Sequence, residues 1–276
     1  MIFRRGKKRS EAESVDTDDL PATEEVDDAA PADETSAEDE SADPGSAEDE
    51  LTGLDELEWR DSGPWDISEI DDLESTDDRP RIDLGSIVLT GVPGSELRLQ
   101  VAEDTNQIIS AMLVIETILV PPDSGDPQSY SSALELGAYA APRSGGLWAE
   151  LRDDISASAT AEGGSASLAE GPFGVELRRL MPVTTPDGEQ GYQPSRMWVA
   201  EGPRWLLRGI VYGQAAVEED LESPVVAEVL DAFRQVVVRR GEEAMAPGDL
   251  LPLSIPENMT RKSPPDNENS GQSTGE

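Results

Sequence analysis

The chain has no cysteine and no histidine. Without cysteine there is no disulfide framework, no thiolate nucleophile and no thiolate-bound zinc. Without histidine there is no imidazole base, no serine–histidine triad and no usual zinc ligand. Lysine is confined to Lys7, Lys8 and Lys262. That excludes a Schiff-base or P-loop lysine from the interior of the sequence. Any catalysis has to run on Asp, Glu, Arg, Ser, Thr or Tyr, or on a carboxylate-bound metal. Long apolar runs are missing too. The nearest, Ile108–Val120, is broken by Ser110, Glu116 and Thr117, so no membrane span of about 18 residues is expected. The basic stretch Met1–Arg9 leads into acidic residues rather than an apolar segment, so it does not read as a targeting signal. The expectation is a cytoplasmic protein.

What the sequence has in excess is acid. Asp and Glu number 59 against 21 Lys and Arg, for a net charge of −38. Such a charge repels polyanions, so no DNA or RNA partner is expected through bulk charge. The acid is unevenly spread: from residue 10 to residue 80 the only basic residues are Arg60 and Arg79. Residues 1–60 therefore read as a disordered acidic arm with a basic tip, because so polar a segment cannot bury enough apolar surface to offset its chain entropy. The tip reads either as a short patch of no specific role or as a weak contact for anionic lipid or nucleic acid. Leu54 and Leu57 with Trp59 can make a short amphipathic turn, and residues 61–80, just after it, read as a docking segment. There Gly63-Pro64-Trp65-Asp66 is a turn followed by an aromatic anchor, which packs either on the chain's own domain or on another protein.

From Arg81 the pattern becomes that of a single domain reaching to residue 256, followed by a disordered tail, 257–276. Alternation or apolar enrichment predicts strands over 82–89, 96–101, 107–120, 133–141, 173–181, 195–200 and 204–212, and a last one over 235–239. Turn chemistry separates them at Val92-Pro93-Gly94-Ser95, Pro186-Asp187-Gly188 and Gly202-Pro203. Leu147, Leu151 and Ile155 share a helical face, giving a helix over 146–161 with Ser144 near its start and Gly163-Gly164 at its end. A second helix begins at Ser223-Pro224 and buries Val226, Val229, Leu230 and Phe233. Residues 241–256 read as an extended strap. The fold class is α+β: an antiparallel sheet with two main helices packed on it.

Arginine supplies the candidate site. Arg143 lies at a strand-to-helix junction, Arg152 on the first helix, Arg204 and Arg208 four apart and so on one face of an ideal strand, and Arg178, Arg179 and Arg196 on neighbouring strands. Arginine suits bidentate binding of carboxylate or phosphate, and Ser144-Gly145-Gly146 at a helix start can offer backbone N–H groups to an anion. The competing reading pairs these arginines with Glu150, Asp153, Glu176 and Glu201 as structural ion pairs. Trp148, Trp198 and Trp205 read as core, and Asp153-Asp154 as a solvated face rather than a metal site. No catalytic motif and no cofactor motif is present.

Several ordered motifs resemble one family. Gly63-Pro64-Trp65-Asp66, Arg81-Ile82-Asp83-Leu84-Gly85, Ala140 through Trp148, Glu170-Gly171-Pro172-Phe173-Gly174 and Gly202-Pro203-Arg204-Trp205-Leu206-Leu207-Arg208-Gly209 resemble the actinobacterial domain of unknown function 3710. The resemblance spans about residues 63–256. It implies an actinobacterial cytoplasmic protein and no assigned activity. A weaker, fold-level resemblance links the strand–helix–strand unit 205–238 to Mog1/PsbP-type sheets and carries no function. The function expected is a non-enzymatic protein-interaction or adaptor module. The alternative is an enzyme or small-ligand binder with an arginine-lined anion site. Trp65 is the docking candidate, a protein partner is the expected partner class, and oligomeric state is not legible.

Overall fold

A computed structural model describes residues 51–255, apart from 52, 58, 74–78, 103, 122–124 and 186. The expected disordered arm up to residue 50 and the tail 257–276 lie outside the described residues. The remainder is α+β. Its main sheet is antiparallel and seven-stranded, built from β4 (Glu96–Val101), β5 (Ile108–Leu119), β6 (Gln128–Ala140), β7 (Ser165–Gly171), β8 (Gly174–Thr184), β9 (Gln190–Gly202) and β10 (Trp205–Gly213), in the order β4-β5-β6-β10-β9-β8-β7. A small sheet is ordered β1-β11-β3-β2, from β1 (Trp65–Asp66), β2 (Arg81–Asp83), β3 (Ile87–Thr90) and β11 (Val237–Val238). Its β1–β11 pair is parallel. The helices are α1 (Leu147–Ala161), α2 (Gln214–Val217) and α3 (Pro224–Arg234).

The period of two along each strand sends alternate side chains to opposite faces of the main sheet. On one face Leu134, Leu136, Trp198, Trp205 and Leu207 build the larger core against α3, the small sheet and Leu251 of the strap. Phe233 of α3 lies at its centre, 4.8 Å from Phe173 and edge-on to Trp198 at 6.1 Å. A Cβ at Gly209 would stand 2.6 Å from the Phe233 ring, so this strand position can hold only glycine without repacking. The opposite face carries a smaller core, with Leu177, Met197, Leu206 and Ile210 of the sheet under Leu147 and Trp148 of α1. The β4–β5–β6 part of that face is open: Glu96, Arg98, Gln100 and Glu116 are exposed there. Among the described residues no helix is long and apolar enough to cross a membrane.

Several boundaries differ from expectation. The run 82–89 is two strands, not one, since Gly85 takes φ 87° and lets β2 fold back on β3, pairing Arg81 with Thr90. Strand β6 begins at Gln128, within the expected loop. Strand β7, Ser-Ala-Ser-Leu-Ala-Glu-Gly, and the short α2 were not anticipated. Ser144 does not cap α1: the N-cap is Gly146, and the capping carboxylate comes from Glu201 on a distant strand. Packing also begins upstream of residue 61, where Leu54–Glu56 forms a short 3-10 turn.

Candidate functional site

The motif segments meet at one end of the main sheet. Strand β6 ends beside the start of β10, Ala140 opposite Trp205, and β9 ends opposite the same residue at Gly202. Helix α1 starts here, and the segment 54–66 packs over it. The links between segments are specific. Asp66 Oδ2 accepts the Trp205 indole N–H at 2.7 Å. Its Oδ1 caps the following 3-10 turn by accepting the Ser68 N–H at 2.9 Å. The Trp148 indole donates to the Val175 carbonyl at 2.7 Å. Glu201 accepts the Gly146 and Trp148 backbone N–H groups at 2.8 and 3.1 Å. A carboxylate on those amides complements the partial positive charge of the helix start.

Between these elements lies a cleft of about 220 Å³, walled by Trp59, Trp148 and Phe173, with Asp55, Arg60 and Glu201 as its charged groups. Each of the three already has a partner. Asp55 pairs with Arg152 at 2.7 Å. Arg60 makes a two-pronged contact with Glu69, 2.6 and 2.7 Å, donates to the Pro64 carbonyl and stacks 5.3 Å over the Trp205 ring. The Arg60 guanidinium holds the Glu69 carboxyl below its ordinary value. Glu201 caps α1. Trp148 and Phe173 are buried in the fold, so the cleft presents half-buried Trp59 beside charged groups that are each already bonded.

The arginines singled out from sequence do not gather into one pocket. Arg152 is buried and bound to Asp55. Arg143 is exposed in the loop after β6. Arg204 is in the turn before β10, at φ 64°, where its carbonyl accepts the Ala141 N–H and Arg240 Nε. It is therefore off the strand on which Arg208 lies. Arg208 is midway along β10, on the face covered by α1, with its guanidinium 5.0 Å over the Tyr139 ring. Trp65 is half-buried, and its backbone N–H donates to the Val236 carbonyl at 2.9 Å as β1 joins β11.

The most heavily bonded charge belongs to an ion pair that the sequence suggested only in outline. Glu176, buried on β8, accepts Arg196 Nε and Nη2, Arg178 Nε and Trp198 Nε1 at 2.7–3.1 Å. Glu176 was paired with an arginine in outline, but Arg196 as its buried partner had no local signal: it is set by the β8–β9 register, which brings Leu177 opposite Met197. Among the described residues no group of three or more Asp or Glu is arranged to hold a metal ion.

A family model described as a protein of unknown function, DUF3710, matches residues 63–262. The match takes in every motif that meets at this end of the sheet. No curated protein matches the chain.

Proposed function

The chain belongs to the DUF3710 family, whose description carries no activity, and on that premise we propose that it is a cytoplasmic, non-enzymatic module that binds a protein partner. The observation behind this reading is the state of its carboxylates. General acid–base or nucleophilic chemistry needs a group free to take up or give away a proton at a substrate. In a chain without histidine or cysteine, that role falls to Asp and Glu. The buried or half-buried acids around the candidate cleft, Asp66, Glu176 and Glu201, are each fixed by indole, guanidinium or helix N–H donors. They hold the fold together and leave the cleft without a free acid among them, beside half-buried Trp59 and with Leu57 55% exposed at its edge.

A partner binding here would bury exposed Leu57 and the half-buried Trp59, and tryptophan is among the residue types enriched at interface hot spots. The acidic arm, residues 10–50, would steer a basic partner toward it. Affinity capture with the full chain, with a form lacking residues 10–50 and with Leu57→Glu tests the reading. Leu57→Glu should cut capture of a defined partner at least tenfold, and the arm deletion should reduce capture chiefly at low salt. A partner whose capture is indifferent to both changes, or the absence of a reproducible partner, overturns it. Trp65 is left out of the design because its backbone is part of the small sheet.

A further inference from the structure

Apart from the cleft, one cavity combines apolar walls with an arginine outside any ion pair among the described residues. It lies between α1 and the sheet and measures about 210 Å³. Trp148, Leu151 and Ile155 line it from the helix, Val199 and Leu206 from the strands, and Arg208 lies beside Tyr139. Ion pairing engages many other arginines, among them Arg60, Arg152, Arg178, Arg196 and Arg239. In contrast, among the described residues no hydrogen bond or ion pair engages Arg208, whose guanidinium rests on the Tyr139 ring at the cavity wall. Glu135 is one strand away on the same face, yet its carboxylate accepts the Tyr212 hydroxyl at 3.3 Å.

We propose that this cavity is a binding site for a small monocarboxylic acid with an apolar body, its carboxylate held by Arg208 and its hydrocarbon against Leu151, Ile155 and Leu206. The two Nη of a guanidinium form a fork that matches a carboxylate, and the apolar walls limit water around that pair. Charge restricts the class further. Glu135 nearby and a chain of net charge −38 disfavour phosphates and dicarboxylates. Size restricts it as well. At ~30 Å³ per water the cavity holds about seven waters, which suits an acid the size of benzoate or hexanoate rather than a long-chain lipid.

The full chain is titrated calorimetrically with benzoate, hexanoate and the neutral isostere benzyl alcohol. At least one acid should bind saturably at one site, with benzyl alcohol at least tenfold weaker than benzoate if benzoate is the binder. Arg208→Gln should weaken the acid about tenfold or more. Arg179→Gln should leave affinity unchanged; Arg179 is on β8 and is not among the lining residues. Leu151→Trp, which fills the cavity, should abolish binding with the guanidinium intact. Failure of both acids to saturate, equal binding of benzoate and benzyl alcohol, or undiminished binding to Arg208→Gln overturns the assignment. Should Arg208→Gln fail to fold, the acid–alcohol comparison and Leu151→Trp decide.

Discussion

Glu176 and Arg196 are the charges the fold can least spare. Their side chains are 1% and 2% exposed, and the second guanidinium nitrogen of Arg196 is held by the Glu218 carbonyl at 2.9 Å. Removing one member leaves the other charged and dry. Glu176→Gln is therefore expected to cost about 3–5 kcal/mol, and thermal melting should show a fall of about 2–4 °C for each kcal/mol. Tyr139 and Tyr212 give a pH signature at the other extreme. Burial raises both phenol pKa values above the ordinary 10.0, and the Glu135 charge adds to the rise. Raised folded values mean that stability is fully present below about pH 10 and is lost as pH climbs through the folded values. Denaturation midpoints should thus fall above pH 10, and Tyr139→Phe should flatten that fall. At this scale the sequence was informative about residue type more than residue role. Trp198 and Trp205 were legible as core because so large an apolar side chain has few other places to go. Arg204 and Arg208 were placed on one face by ideal strand spacing, and a left-handed backbone at Arg204 removed it from the strand.

Elements whose periodicity is strong came through sequence reading intact: β4 with its strict alternation, α1, and α3 with Pro224 in its first turn. Strand β7 was hard to read because its alternation rests on only Ala166 and Leu168, which pack on the smaller core; it is an edge strand defined by pairing along β8. The β2–β3 hairpin was read as one strand because all of Ile87–Thr90 is buried, which erases the alternation that a half-exposed strand would show. The cap of α1 was out of reach in principle, since Glu201 is 53 residues from the Trp148 amide it accepts. Glu201→Ala should cost about 0.5–2 kcal/mol, in the range of other lost helix caps, and should speed amide exchange in the first turn of α1. In β10, Gly209→Ala presses a methyl group into the Phe233 ring, and overpacking of that kind costs about 1–3 kcal/mol. A denaturant titration of the two variants separates a frayed helix end from a strained core.

For the whole molecule, the segment before β2 is structural. Asp66 satisfies the buried Trp205 indole, and β1 completes the small sheet. Asp66→Ala is expected to cost about 1–3 kcal/mol through the orphaned indole N–H alone, measured by urea unfolding. Composition suggested that residues 61–80 dock. The apolar Leu54, Leu57 and Trp59 also suggested a short turn ahead of them, and Leu54–Glu56 forms one; nothing local signalled the Asp55–Arg152 pair, which joins residues 97 apart. The same remoteness bears on how the protein is made. Asp66 leaves the ribosome long before Trp205, 139 residues later, exists to receive it, and β1 waits for β11, the last strand to be synthesised. The opening of the domain must therefore stay unpaired through most of translation.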